Sequence, residues 1–344
     1  MKAFLLHGAT DLRIAELPVP DPKPGEALIA VRRAGICGSD MHYYRNFQIG
    51  SFIPKRPFVL GHEFAGEIVG VGAGVTASRI GQRVTVDPSI PCGVCLHCRS
   101  GSYNLCRDMR FFGSASCDPH INGGFEEFVI APATNCLVLP DALDWGQAAM
   151  IEPLSVAVHA VRRAATVAGK TVLVTGGGTI GQLAALVARA FGASLVVLSD
   201  VAAAPRTFAL GRGADAALDA ADADFAPQAE ALAPGGFDVV IEAAGSPQAL
   251  HQGLNAARRG GTIVQVGTLP ASVTLPLNLI MARELALLGS FRFANAFQTS
   301  IDLLAREKIN VRSLITAIFP LSDLPIAIEA AIRDRNNIKV QVAP

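Results

Sequence analysis

The chain has 344 residues, of which 51% are hydrophobic and 17% charged, and this length favours two domains with large apolar cores. Lys and Arg total 29, as do Asp and Glu, so the charge balance excludes electrostatic attraction to nucleic acid or to an anionic membrane. The N-terminus lacks the apolar core of a signal peptide, and we expect a cytoplasmic protein. In that reducing compartment the seven cysteines favour metal binding over disulfides.

The first third of the chain is predicted to be an irregular, strand-rich domain. Short β-type runs such as 27–33 and 67–71 are separated by Gly and Pro, without regular alternation of strand and helix. Within it, Cys37, His62 and Glu63 offer a thiolate, an imidazole and a carboxylate. Such a mixed set suits a zinc ion that keeps one position open for water or substrate. Each residue alone has an ordinary structural explanation, so this prediction depends on the rest of the chain.

Four cysteines follow with the spacing C-x2-C-x2-C-x7-C: Cys92, Cys95, Cys98 and Cys106. Four clustered thiolates predict a closed, tetrahedral zinc site. A [4Fe–4S] cluster is the less favoured alternative, because such runs commonly end in Cys-Pro and here an arginine follows the last cysteine. A metal without an open position stabilises its lobe and takes no part in chemistry. Cys117 and Cys136 have no partner at a metal-binding spacing and are interpreted as structural.

The middle third begins with a β-branched run, 171–175, followed by a glycine-rich turn and a helical pattern over 182–191. The turn has the form G-x-G-x-x-G and contains Gly176, Gly178, Thr179, Ile180 and Gly181. Strand, glycine turn and helix in this order are typical of a dinucleotide site, where the pyrophosphate lies at the helix N-terminus.

A second β-type run, 195–199, ends in Asp200, which lies 19 positions after the last glycine. A carboxylate there accepts hydrogen bonds from the ribose hydroxyls of NAD and repels the 2′-phosphate of NADP, so NAD is the expected cofactor and NADP the alternative. The runs 238–242 and 261–267 continue the alternation. They predict a Rossmann-type, doubly wound parallel sheet in an α/β domain over 151–285.

The last part of the chain returns to mixed structure, with a strand-like run at 285–292 and a helical pattern at 298–306. We expect this tail to rejoin the first domain. The predicted organisation is therefore a catalytic domain from 1–150 and 286–344, with a zinc lobe at 92–106, and a dinucleotide-binding domain from 151–285.

Taken together, these motifs resemble the zinc-dependent medium-chain dehydrogenase/reductase family over the whole chain. The pattern from Gly61 to Val75, G-H-E-x2-G-x5-G-x2-V, fits the family's zinc signature, and the four-cysteine lobe and Glu152-Pro153 follow in the expected order. Within the family the chain resembles the polyol dehydrogenase branch, because position 152 is a glutamate and not a cysteine. The segments 35–44, 108–115, 119–125 and 289–293 most resemble L-idonate 5-dehydrogenases. The resemblance implies a GroES-like catalytic domain and a homotetramer or homodimer.

The resemblance also implies roles for individual residues. Cys37, His62 and Glu63 would hold the catalytic zinc. The other residues with implied catalytic or substrate roles are Glu152 as a zinc ligand, directly or through water, Ser39 and His42 as a proton relay, and Tyr43 and Arg292 in the substrate pocket. Family members often carry an arginine about five residues after the ribose-binding acid, whereas here Pro205 stands there and Arg206 follows. We expect Arg206 to bind the cofactor, where its charge is also able to take a 2′-phosphate.

The expected reaction is zinc-assisted oxidation of a secondary alcohol of a sugar acid, L-idonate to 5-ketogluconate, with hydride transfer to NAD. A buried carboxylate needs cationic or strong donor partners. The candidates are Lys55, Arg56, Arg110, His120 and Arg292. The alternatives are a sorbitol- or xylitol-type polyol dehydrogenase and, less favoured, an L-threonine dehydrogenase or a non-catalytic NAD-binding protein. A non-catalytic NAD-binding protein is the one alternative that would have no use for an open zinc-ligand set.

Overall fold

The computed structural model of the protein describes residues 1–344. The chain forms two compact units, which we call the first and second unit: Met1–Glu152 with Ser300–Pro344, and Pro153–Thr299. No helix combines the length and the apolar character that a membrane crossing requires.

The strands are β1 Lys2–Gly8, β2 Asp11–Glu16, β3 Glu26–Gly35, β4 Phe58–Val59, β5 Glu63–Val71, β6 Arg83–Val86, β7 Ser89–Ile90, β8 Arg110–Phe111, β9 Phe128–Pro132, β10 Cys136–Val138, β11 Thr171–Thr175, β12 Leu195–Asp200, β13 Ala216–Asp219, β14 Phe237–Glu242, β15 Ala257–Gln265, β16 Ala286–Gly289, β17 Ile315–Pro320 and β18 Lys339–Ala343. The α-helices are α1 Gly38–Asn46, α2 Leu96–Arg99, α3 Trp145–Ala149, α4 Ile151–Arg163, α5 Thr179–Ala190, α6 Ala203–Ala209, α7 Phe225–Leu232, α8 Pro247–Ala256, α9 Leu277–Arg283, α10 Phe297–Ala305 and α11 Leu324–Arg333.

A seven-stranded sheet organises the first unit, in the order β10-β6-β5-β3-β18-β17, with β9 paired to β3 as well. Strand β3 lies between β5 and β18 and is antiparallel to both. Its alternating apolar residues, among them Ile29 and Val31, are buried in one cluster with Phe64 and Ile68 of β5. Because β18 is the C-terminal strand, the end of the chain becomes an inner strand of this sheet.

A six-stranded parallel sheet organises the second unit, in the order β13-β12-β11-β14-β15-β16. Its inner strands are continuous apolar runs, such as Val172–Val174, that are fully buried, as expected for a sheet covered on both faces. This is the strand order of the doubly wound dinucleotide fold, and it confirms the predicted Rossmann-type α/β class. Strand β16 extends the sheet beyond residue 285, and the unit continues to Thr299.

Candidate metal and cofactor sites

The four cysteines of the lobe converge around one point. The Sγ atoms of Cys95 and Cys98 lie 3.5 Å apart, those of Cys92 and Cys98 lie 3.9 Å apart, and all four sulfur atoms lie within 4.8 Å of one another. All four are free thiols. Zinc bound at about 2.3 Å by four thiolates requires sulfur atoms roughly 3.8 Å apart, so the spacing fits a closed zinc site.

Backbone donors support these thiolates. The N–H of Cys92 donates to Sγ of Cys106 at 3.3 Å. A hydrogen bond from the backbone of Cys98 lowers the pKa of Cys95 to about 6, which favours the thiolate that a metal binds. The lobe is therefore built locally, by fifteen consecutive residues and their own backbone.

The second group is assembled from separate elements. Cys37 precedes α1, His62 immediately precedes β5, and Glu63 is the first residue of β5. Their ligand atoms lie within 4.8 Å of one another. His62 and Glu63 are buried, and the ring of Phe111 packs against His62 with 5.6 Å between centroids. This set of sulfur, nitrogen and oxygen donors fits a zinc ion with an open position.

Asp40 supports this group through backbone hydrogen bonds next to two of its residues. It is fully buried, and its Oδ2 accepts the N–H of Cys37 at 2.9 Å while its Oδ1 accepts the N–H of Gly61 at 3.2 Å. Oδ1 also lies 3.8 Å from Nδ1 of His62. One carboxylate thus holds the backbone at Cys37 and next to His62 and places a negative charge beside the His62 imidazole, where metal-binding histidines usually have a carboxylate or carbonyl partner.

A buried cation lies on the other side of the group. The ammonium of Lys339 donates to the carbonyl oxygen of Ile36 at 2.9 Å and forms an ion pair with Glu63. Gly35 is the register partner of Glu63 across β3 and β5. A Cβ atom on Gly35 would collide with the Glu63 carboxylate and would lie 2.9 Å from Cε of Lys339. The ion pair therefore passes over a residue that must lack a side chain.

Around this donor set the acidic side chains outnumber the single buried ammonium, that of Lys339. Burial, reinforced by the charge of Glu63, raises the pKa of the Cys37 thiol to about 12. Burial also raises the pKa of Glu152 well above its usual range, and it raises that of Asp40. Burial opposes the charged form of Lys339, but the charges of Glu63 and Cys37 raise its pKa. A bound divalent cation supplies the missing positive charge and deprotonates a coordinating thiol.

Glu152 lies in the first turn of α4 and is 4% exposed. Its carboxylate interacts electrostatically with His62 and Glu63, yet it is not one of the three groups whose ligand atoms lie within 4.8 Å. Glu152 is thus close enough to act on the site by charge.

The glycine turn of the second unit connects β11 to α5, and Gly178 precedes the helix. A Cβ atom on Gly181 would collide with the carbonyl oxygen of Gly176. The helix can therefore lie close against the turn only because residue 181 has no side chain. Thr179 and Ile180 form the first turn of α5. The helix N-terminus can accept a pyrophosphate.

Asp200 ends β12 beside this turn. Its Oδ2 accepts the N–H of Gly177 at 2.7 Å, and its Oδ1 accepts the N–H of Ala202 at 2.7 Å. A carboxylate oxygen can accept two hydrogen bonds, and each oxygen of Asp200 accepts one here, so both retain capacity for ribose hydroxyls. Arg206 donates to the backbone oxygen of Asp200 at 2.8 Å and pairs with Asp219 at 2.8 Å.

Comparison with known proteins identifies the family of both parts of the chain. Residues 23–141 match the alcohol dehydrogenase GroES-like domain, and residues 179–306 match the zinc-binding dehydrogenase family. The sorbitol dehydrogenase of Bacillus subtilis (strain 168) is 37% identical over 348 residues, covering 100% of this chain and 97% of that protein. The chain belongs to the zinc-dependent medium-chain dehydrogenase/reductase family.

Further relatives agree with the predicted polyol dehydrogenase branch of this family. D-xylulose reductase A of Aspergillus niger is 36% identical over 348 residues, covering 99% of this chain and 96% of that protein. The crystal structure of L-idonate 5-dehydrogenase from Escherichia coli str. K-12 substr. MG1655 has a TM-score of 0.94 and 34% identity, covering 100% of this chain and 98% of that one. The chain is therefore a zinc-dependent polyol or sugar-alcohol dehydrogenase.

Within this dehydrogenase, the predicted relay and substrate residues on α1 differ in exposure. Ser39 is half-buried and His42 is exposed. Tyr43 is buried, its hydroxyl accepts the N–H of Ala115 at 3.0 Å, and its ring packs edge-on against Phe58. The hydroxyl of Tyr43 is thus already engaged with the loop after β8.

The predicted carboxylate partners of the first unit are held by other groups. Lys55 and Arg56 both pair with Asp118. Nε2 of His120 accepts the N–H of Lys55 at 2.9 Å, so Nδ1 carries the proton and donates to the carbonyl oxygen of Cys117 at 2.6 Å.

Arg110 and Phe111 are neighbours on β8 and point in opposite directions, as in any strand. Phe111 contacts His62, whereas Arg110 lines a cavity of about 590 Å³ together with His120 and Glu126. None of the three donor residues, Cys37, His62 and Glu63, lines that cavity. Arg292 belongs to the second unit, and its guanidinium lies 5.0 Å from the ring centre of Phe291.

Sequence reasoning missed Asp40, Lys339 and the close approach at Gly35. Asp40 carried a signal, because an aspartate three residues after Cys37 can cap the helix that begins there. Lys339 carried none, since it is brought to Glu63 only by the pairing of β18 with β3.

Proposed function

We propose that this dehydrogenase oxidises a neutral polyol of the sorbitol or xylitol type at a secondary hydroxyl and transfers the hydride to NAD. The observation that carries the proposal is the donor set of half-buried Cys37 and buried His62 and Glu63, supported by Asp40 and by Lys339. A mixed set of three donors, with Glu152 held nearby, leaves room for a substrate hydroxyl that the closed cysteine lobe cannot accept.

The residues of the first unit have separate tasks in this proposal. Cys37, His62 and Glu63 would hold the zinc, which would supply Lewis acidity to lower the pKa of a substrate hydroxyl. Asp40 places a carboxylate beside the imidazole of His62, and Lys339 holds the Glu63 carboxylate in place through their ion pair. In the lobe, Cys92, Cys95, Cys98 and Cys106 hold a second zinc that stabilises the local fold.

Oxidation removes one proton and one hydride from the substrate. Bound NAD would supply the hydride acceptor: it would take the hydrogen of the carbinol C–H bond together with its electron pair and be reduced to NADH. The hydroxyl proton leaves through Ser39 and His42, which lie on the same helix, one half-buried and one exposed. A ketose is the product.

A neutral polyol fits the charges of the first unit better than a sugar acid does. A substrate carboxylate that loses its hydration needs a cation or several donors. Lys55 and Arg56 are already paired with Asp118, and both ring nitrogens of His120 are engaged. The closer similarity to sorbitol dehydrogenase and D-xylulose reductase supports the same choice.

The preference for NAD rests on Asp200. Its carboxylate ends β12 next to Gly177, where it can accept hydrogen bonds from ribose hydroxyls and would repel a 2′-phosphate. We propose Gly176, Gly178, Thr179, Ile180 and Gly181 as the pyrophosphate-binding turn.

A second candidate substrate is L-idonate. The 34% identity with the Escherichia coli L-idonate 5-dehydrogenase favours it, and so does Arg292 in the segment that resembles that group of enzymes. An arginine is well suited to a carboxylate because it can form two parallel hydrogen bonds.

The test is a comparison of kcat/KM for sorbitol, xylitol, L-idonate and L-threonine with NAD, for wild type, Arg292→Ala and the matched control Arg110→Ala. We expect sorbitol or xylitol to be preferred at least about tenfold, a difference of about 1.4 kcal/mol in transition-state binding. A preference for L-idonate that Arg292→Ala removes and Arg110→Ala leaves unchanged would establish the second candidate instead. A preference for L-threonine would overturn both.

A further inference from the structure

Two aspartates end neighbouring strands in the second unit. Asp200 is the last residue of β12, Asp219 is the last residue of β13, and the two are register partners in the parallel sheet. The carboxyl ends of parallel strands form the edge where dinucleotides bind in this kind of sheet. Asp219 therefore places a second carboxylate beside the one that the glycine motif identifies.

Arg206 connects these two strand ends. From α6, its Nη1 donates to the backbone oxygen of Asp200 at 2.8 Å, and its Nη2 pairs with Oδ2 of Asp219 at 2.8 Å. The other oxygen of Asp219 accepts the N–H of Ala221 at 2.9 Å. The arginine side chain is 19% exposed and the aspartate side chain 37%. The guanidinium is thus fixed on two sides, by a carbonyl oxygen and by a carboxylate that is itself anchored to its loop.

This arrangement determines what Arg206 can offer to a cofactor. A 2′-phosphate is bound best by a guanidinium that presents two parallel donors to it. Arg206 already uses donors on Asp200 and Asp219, and turning it toward a phosphate would leave the Asp219 carboxylate without its cation. Asp219 also adds a negative charge next to Asp200, and like charges repel a phosphate more strongly together.

We propose that Asp219 is a specificity-determining residue for the dinucleotide. It withholds Arg206 from a 2′-phosphate by pairing with it, and it thereby strengthens the preference for NAD. Asp219 acts through Arg206 and has a positioning role. This inference rests on the NAD preference given under the proposed function and adds the residue that enforces it.

The experiment compares wild type, Asp219→Asn and the double variant Asp219→Asn/Arg206→Gln. Two quantities are measured: kcat/KM for NAD and for NADP with one saturating polyol, and the affinities for NADH and NADPH by fluorescence titration. Asp219→Asn is expected to raise kcat/KM for NADP about tenfold, the value of one charged hydrogen bond made available. The value for NAD should stay within about twofold. The double variant should lose the gain, because the gain requires the released guanidinium.

The matched control is Asp222→Asn, which removes a nearby carboxylate that binds Asp224 and Gln228 and has no contact with Arg206. It should leave the ratio of NADP to NAD unchanged. An unchanged ratio in a stable Asp219→Asn protein with normal NADH affinity would overturn the inference, as would a gain that persists in the double variant. A wild type that prefers NADP would instead overturn the NAD preference itself, and the two failures are therefore distinguishable.

Discussion

The two metal-binding groups of the first unit are built in opposite ways. The lobe takes four identical donors from fifteen consecutive residues and supports them with its own backbone N–H groups. The group of Cys37, His62 and Glu63 takes three different donors from two regions of the chain and is surrounded by buried charges, including Lys339 from the last strand. The first arrangement uses every zinc coordination position, and the second leaves one open.

Within one unit, therefore, one metal-binding group serves stability and the other serves the reaction. A closed shell of thiolates stabilises a local fold, whatever happens elsewhere. An open group needs neighbours that hold its donors in place without occupying the metal: Asp40 accepts backbone N–H groups beside the donors, and Lys339 pairs with Glu63. Variants in each group should therefore affect different measured quantities.

The largest effect is expected from Cys37→Ser. Loss of one donor should remove one zinc per chain and reduce turnover by about three orders of magnitude or more, because several kcal/mol of Lewis acid stabilisation are lost. Metal analysis and steady-state kinetics measure both quantities, and Cys117→Ser, a cysteine outside both groups, is the control. Wild-type turnover in a folded Cys37→Ser protein would contradict the assignment.

Cys98→Ser should act on stability. Opening the closed shell should release the second zinc and lower the melting temperature by about ten degrees, since structural zinc contributes several kcal/mol to folding. Turnover per folded chain at low temperature should be affected much less than in Cys37→Ser. If the melting curve stayed the same after the loss of one metal, the lobe would not be a stabilising element.

Lys339→Met should weaken the open group alone. Without its cation, Glu63 is left buried and unpaired, and we expect affinity for the catalytic zinc to fall about 10- to 100-fold. Competition with a chelator measures this, and the lobe zinc serves as the internal standard. Cobalt substitution adds a second measurement, because the absorption of cobalt at the open group should change while that of the lobe is unaltered. Equal zinc retention in both proteins would contradict the role of Lys339.

Glu126 is a buried carboxyl without a cation, and it sharpens the contrast with Glu63. It is 4% exposed, its Oε2 has no hydrogen-bond partner, and burial raises its pKa to about 8 from 4.5. The folded state therefore holds a proton that the unfolded state loses, so this group reduces stability as the pH rises from about 4.5 to about 8. Glu126→Gln should raise the melting temperature by a few degrees at pH 8 and above, and by little at pH 5.

Melting curves across this pH range test the effect, with Glu127→Gln as the control because that neighbouring carboxylate accepts the N–H of Lys2. A stability gain of equal size at every pH would show that the charge of Glu126 is not its cause.

Much of this fold could be predicted from the sequence because the signals were local. The glycine turn with Asp200, and apolar strand runs that alternate with helical patterns along the chain, indicated the parallel sheet. The cysteine spacing indicated the lobe. The strand-like run at 285–292 was recognised but assigned to the first domain, because nothing in its mostly exposed residues indicates that β16 pairs with β15. The second unit extends to Thr299.

The surroundings of the open group could not be predicted in the same way. Lys339 meets Glu63 through strand pairings that join residues about 300 positions apart, and a lone lysine near the C-terminus carries no signal of burial. His120 was predicted as a substrate residue from its position in a motif. Its partners, Lys55 and Cys117, follow from the loop geometry alone.

The most direct test of the account is selective removal of the more weakly held zinc. Protein with two zinc ions per chain is treated with a chelator until one remains, and NADH formation from sorbitol or xylitol is measured before treatment, after it and after zinc is returned. The account predicts that activity disappears with the first zinc, that the melting temperature stays close to its original value, and that activity returns with the metal. Full activity in the one-zinc protein, or no NADH formation from any polyol by the two-zinc protein, would contradict it.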